Sequence, residues 1–178
     1  MSDKSKNLWG IDLGGTKAEG IVIGPGGLKD ILFRDRVPTG AENGYQHILN
    51  QIKKLVDMME AKMGYRPEQL GICTPGTLDP RTRTMKGCNS ECMNNQPMKD
   101  DLEKLLGLKI AIANDADCFA LAETQMGVVK ERFPNAKVVF GVIMGTGVGG
   151  GIVVNGGVIY GLQGIGGEWG HNFLDESA

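Results

Sequence analysis

From Leu8 onward the chain alternates short apolar runs with glycine-bearing turns. Residues 8–13, 18–24 and 30–37 are apolar, rich in β-branched residues and bounded by Gly or Pro, the pattern of three strands. The apolar period then lengthens. Tyr45, Ile48, Leu49, Ile52, Leu55, Val56, Met59 and Met63 share one helical face. Asn43 is placed to cap this helix, and Gly64 with Pro67 to stop it. Leu70 to Cys73 reads as a short strand running into the turn "TPGT". Met98, Leu102, Leu105 and Leu106 predict a helix over 98–106 that Gly107 closes. "LKIAIA" is then a buried strand ending at "NDAD", and "DADCFALAETQMG" a helix with an acidic first turn, as the helix dipole favours.

Together these elements predict an α/β layer over residues 1–130. "KERFPNA" reads as a polar connector. "KVVFGVIMG", "GIVVNG" and "GVIYG" predict three more strands, so residues 131–178 read as the start of a second α/β domain. This segment repeats the opening pattern of strand, Gly/Thr turn and strand. It shows no helix after its strands and is expected to be a truncated domain, since a sheet without a covering helix exposes apolar surface.

Composition narrows the class. In 178 residues, 41% hydrophobic and 22% charged content indicates a globular chain. A net charge of -2 gives no electrostatic footprint for nucleic acid or an anionic membrane. The N-terminus has no signal-peptide core, and no run approaches the ~18 apolar residues of a membrane span, so a cytoplasmic protein is expected. Cys73, Cys88, Cys92 and Cys118 are irregularly spaced and read as reduced thiols; only Cys88 and Cys92 resemble a ligand pair, with no second pair beside them. The outlying number is 28 glycines, about 16% against a usual ~7%. They cluster in turns, where backbone must reach positive φ or let a ligand come close.

"GTGVGG" fits G-x-G-x-x-G literally, but a strand follows it where a dinucleotide site requires a helix. "GGTK" lacks the spacing of a P-loop. There remain two glycine hairpins that each carry a threonine: Gly14-Gly15-Thr16 and Gly145-Thr146-Gly147. They read either as ordinary turns or as a pair holding a polyphosphate through backbone N–H groups and hydroxyls. Asp12 and Lys17 favour the second reading, because an acid there can hold Mg²⁺ and a lysine can meet phosphate. Asp115 follows a buried strand and opens a helix, which suits either an N-cap or a base for a sugar hydroxyl. Asp117 reads as structural. Glu168 and His171 stand three apart and fit a polar ligand or half a metal site.

The segments "GIDLGGTK", "GICTPGTLDP", "NDADCFALAE", "GTGVGGGIVVNGG" and "GGEWGHN" resemble, in that order, the successive motifs of the ROK family of sugar kinases and repressors. The resemblance runs from Leu8 to Asn172. It implies the actin-like, ribonuclease-H-like α/β fold, with two domains and a cleft that takes ATP and a sugar. By the resemblance Asp12 helps position Mg²⁺. Gly14, Gly15, Thr16 and Lys17 form one phosphate turn, and Gly145, Thr146 and Gly147 the other. Asp115 is the base. Gly76, Asn89, Asn114 and Glu168 bind the sugar, and His171 both touches the sugar and ligates a structural Zn²⁺.

Family members continue with a cysteine cluster that supplies the other zinc ligands and with helices that bind adenosine, and none of the four cysteines here matches that cluster. The 178 residues alone are therefore expected to bind ATP poorly. Members commonly form homodimers. The resemblance implies transfer of the γ-phosphoryl of Mg-ATP to a hexose or N-acetylhexosamine hydroxyl, nearest to the fructokinase, mannokinase and N-acetylglucosamine kinase branches. The alternatives are a sugar-sensing repressor, which needs a helix-turn-helix absent from the nine residues before Gly10, and an inactive sugar-binding fragment.

Overall fold

The computed structural model describes residues 6–145 and 147–170. The chain divides at Asn114/Asp115 into two compact units.

In the first unit, β1 (Leu8–Leu13), β2 (Lys17–Ile23) and β3 (Ile31–Pro38) form an antiparallel meander. The chain crosses back through α1 (Tyr45–Met63) to β4 (Gln69–Thr74), parallel to β1. A two-residue hairpin, β5 (Thr77–Leu78) with β6 (Met85–Lys86), and α2 (Met98–Leu106) lead to β7 (Lys109–Asn114), parallel to β4. The sheet order is β3-β2-β1-β4-β7. Strands β1, β3, β4 and β7 thus all run the same way, and their C-terminal ends share one edge.

The periodicity of α1 is realised as expected. Ile48, Leu49, Ile52, Leu55, Val56 and Met59 are buried on one face. Burying each such side chain contributes roughly 1.5–3 kcal/mol. Gly20 of β2 is the point of closest approach: a Cβ there would lie 2.9 Å from Met59 Sδ and 3.0 Å from Leu55 Cγ. The start of α1 differs from expectation. Gly44, not Asn43, stands at the N-cap, with φ 88° and ψ 175°. Such a backbone is readily available only to glycine, while Asn43 closes the short 3₁₀ turn Ala41–Asn43 before it. Gly64 ends α1 in the left-handed conformation and its N–H donates to Glu60 O at 2.8 Å, as expected.

In the second unit, β8 (Val138–Met144), β9 (Val148–Val154) and β10 (Gly157–Val158) form an antiparallel sheet in the order β10-β9-β8. Its covering helix precedes it in sequence. Helix α3 (Asp115–Gln125), read from the sequence with the first layer, packs on β8 and β9. Small residues make this possible. A Cβ on Gly141 would lie 2.8 Å from Ala120 Cβ, and one on Gly151 would lie 2.5 Å from Ala116 O. The first three residues of the expected connector, 130–136, belong instead to a short helix, α4 (Val128–Arg132), which packs against α3.

Candidate active site

The first unit gathers its candidate residues by strand direction. Register places Asp12 of β1 beside Cys73 of β4, and Cys73 beside Ala113 of β7; one step further on, Thr74 pairs with Asn114. With strands about 4.8 Å apart, these positions form a row at the C-terminal edge, where open α/β sheets bind ligands. Asp12 is exposed there, because its neighbours Ile11 and Leu13 point into the core. Asn114 is buried at 8% exposure, and Asp115 is the next residue in the chain.

The Gly14–Lys17 turn leaves β1 at the same edge. Gly14 N donates to Lys17 O at 2.9 Å, and Gly15, Thr16 and Lys17 are exposed. Neither glycine has positive φ. A Cβ on Gly15 would meet nothing within 4 Å. Conformation and packing therefore do not require glycine at 15, which leaves room at the backbone as the remaining use for it. The turn is pinned by a residue that sequence reasoning missed. Thr39, just after β3, donates from Oγ1 to Gly14 O at 2.7 Å and from its N–H to Thr16 O at 3.0 Å. The only signal for it in the sequence is a threonine between Pro38 and Gly40 at a strand end.

Gly76 has a packing role. A Cβ there would lie 2.5 Å from Lys86 O and 2.9 Å from Cys88 N. Its turn is tied by Thr74 Oγ1, which donates to Gly76 O at 2.8 Å, with Ala113 O 3.4 Å away. Asn89 is exposed on the loop after β6. A second unpredicted residue shapes that loop: Asn94 accepts from Cys88 N at 2.9 Å and donates to Cys88 O at 3.0 Å. The Cys88 thiol is pushed up to about 11 by burial and by nearby Cys92, so it stays protonated at neutral pH.

In the second unit, Asp115 opens α3 and is exposed, its Oδ1 accepting from Ala116 N at 2.9 Å. Asp117 is buried at 3% exposure, and its carboxyl is pushed up to about 6 by burial, then by Glu168 and Asp115. The three carboxyls are therefore electrostatic neighbours. Glu168 is half-buried in a turn rather than a helix, its N–H donating to Ile165 O at 3.2 Å; the glycines around it break the helical repeat. Its Oε1 lies 3.6 Å from where a Cβ on Gly149 would stand. Gly145 N donates to Gly147 O at 2.8 Å, both residues are exposed, and a Cβ on either would meet nothing within 4 Å. Thr146 and His171 lie outside the described residues. Among the described residues no group of three His, Cys, Asp or Glu side chains could hold a metal ion.

A family model described as "ROK family" matches residues 8–178. The chain belongs to the ROK family. This ROK chain is 37% identical over 170 residues to an N-acetyl-D-glucosamine kinase of Haemophilus influenzae, covering 96% of this chain and 53% of that relative. Its structure is similar to that of a ROK hexokinase from Thermus thermophilus, at 31% identity and a TM-score of 0.79, covering 96% and 54% of the two chains. It is also similar to a ROK glucokinase from Streptomyces griseus solved with glucose and AMPPNP, at 28% identity and a TM-score of 0.78, covering 93% and 50%. The fold is therefore the actin-like ATPase fold of the ROK sugar kinases. The chain spans about half the length of the curated relatives it matches.

Proposed function

We propose that this ROK protein transfers the γ-phosphoryl of ATP to a hydroxyl of a hexose or an N-acetylhexosamine. The observation that supports the reading is the shared C-terminal edge of β1, β4 and β7, along which Asp12, the open Gly14–Lys17 turn and Asn114 lie at strand ends, Asp115 being the next residue in the chain. The kinase relatives in the same family support it.

The residues present fit a magnesium nucleotide. Gly15 leaves its backbone open, and Asp12 offers an exposed carboxylate two residues before the turn. Mg²⁺, when bound, supplies charge neutralisation for the phosphates. Asp12 holds it, directly or through water, and Lys17 adds a positive charge. Backbone N–H groups of the Gly14–Lys17 turn donate to phosphoryl oxygens. Asn114, Asn89 and Glu168 bind sugar hydroxyls. Gly76 offers its backbone to the sugar from a turn that Thr74 holds. Asp115 accepts the proton of the attacking hydroxyl. Catalysis then comes mainly from positioning and charge stabilisation. By the family resemblance, His171 would be one ligand of a structural zinc.

Asp115→Asn tests the assignment in the protein as its gene encodes it. Turnover is expected to fall by at least about 100-fold while the sugar KM stays within a few-fold. Unchanged turnover removes Asp115 from the base role.

A further inference from the structure

We propose that Thr39 is a positioning residue for nucleotide binding: its hydroxyl fixes the Gly14–Gly15 peptide so that the Gly15 N–H faces the phosphates. The inference rests on the phosphate role given above to the Gly14–Lys17 turn. Thr39 is 1% exposed, and a hydroxyl buried that deeply costs free energy unless it is hydrogen-bonded. Valine would fill the same volume without that cost, so the threonine is explained by its bond and not by packing. That bond runs to Gly14 O at 2.7 Å, and a second, from Thr39 N to Thr16 O at 3.0 Å, holds the far side of the turn.

A trans peptide directs its C=O and its following N–H to opposite sides of the chain. Among the described residues no peptide bond is cis. Tying Gly14 O to Thr39 therefore turns Gly15 N–H away from Thr39. Among the described residues, no acceptor takes that N–H. Gly15 is exposed, and a Cβ added to it meets nothing within 4 Å. The turn thus presents an open donor in a fixed direction. Two adjacent glycines would otherwise let this peptide flip at little cost, because glycine enters positive and negative φ about equally. Thr39 removes that freedom, so less order has to be imposed when an anion arrives.

The test titrates the ¹⁵N-labelled natural protein with AMPPNP and Mg²⁺, following the Gly15 amide by NMR, and compares wild type, Thr39→Val and Thr39→Ser. Steady-state KM values for ATP and for sugar are measured alongside, with circular dichroism to establish folding. In wild type the Gly15 amide is expected to shift on binding. Thr39→Val is expected to bind AMPPNP at least about tenfold more weakly, to lose most of that shift and to keep the sugar KM within about twofold. Thr39→Ser keeps the hydroxyl and is expected to bind within about threefold of wild type. A folded Thr39→Val that binds as wild type does overturns the proposal. If valine prevents folding, serine decides: a folded Thr39→Ser that loses tenfold or more overturns it equally. Wild type that binds AMPPNP but phosphorylates no sugar defeats the kinase reading and leaves the anchoring intact. Sugar phosphorylation with the same ATP KM in wild type and Thr39→Val defeats the anchoring alone, and absence of nucleotide binding in wild type defeats both.

Discussion

The side chains of α3 show how position and environment separate two acids on one helix. Asp115 is exposed and Asp117 is buried, although only one residue lies between them. The Asp117 carboxyl is pushed up to about 6 from its ordinary 3.8, by burial first and then by Glu168 and Asp115; Tyr160, also raised, has Asp117 among its causes. The folded state therefore holds a proton that the unfolded state has released between those two values. Stability is lost as pH rises from about 4 through about 6 and is level above that. Asp117→Asn is expected to stabilise the fold at pH 7.5 by about 2–3 kcal/mol and to be near neutral at pH 4, measured by urea denaturation at both pH values. An equal effect at the two values contradicts a raised carboxyl. The sequence made Asp12 and Asp115 legible because each sits at the end of an apolar run. It could not show Thr39, whose partner Gly14 is 25 positions away, nor the burial of Asp117, which depends on elements far along the chain.

The glycine clusters divide into two kinds at the scale of elements. Gly149, Gly150 and Gly151 belong to β9, and two of them are small because backbone approaches closely on both sides of this strand. Gly151 backs against the first turn of α3, and a Cβ on Gly150 would lie 2.5 Å from Gly167 O and 2.7 Å from Trp169 Cδ1. Gly145 and Gly147 precede β9 and meet nothing. From composition alone both kinds look like one phosphate loop. Gly151→Ala is expected to destabilise by about 1–3 kcal/mol, since it drives a methyl into helix backbone. Gly145→Ala is expected to stay within about 0.5 kcal/mol of wild type while weakening ATP binding. Denaturant midpoints of the two variants check the contrast, and equal costs contradict it. The strands and long helices were readable because their periods are long enough to repeat. The β5–β6 hairpin was not, having two residues per strand, and neither was α4, five residues long. The partnership of α3 with β8 and β9 was hidden for another reason: apolar content marks a helix as covered without saying by which sheet.

At the scale of the whole molecule, the family was legible because five short motifs kept their order, the first four at the end of a strand or the start of a helix. Order of this kind survives where single motifs fail, as "GTGVGG" did against the dinucleotide pattern. The chain spans about half the length of its curated kinase relatives. Alternate residues of the edge strand β8, namely Val138, Phe140, Val142 and Met144, are exposed. The first unit carries a cohesive core from Trp9 to Ile110 that holds the candidate edge in place. The most direct test of the central claim is ³¹P NMR of the natural protein with Mg-ATP and either glucose or N-acetylglucosamine. Loss of the γ-phosphate signal, matched by equal gains of ADP and a sugar phosphomonoester, is expected only when sugar is present. Intact ATP, or ADP with inorganic phosphate alone, across all hexoses and N-acetylhexosamines tried would contradict it.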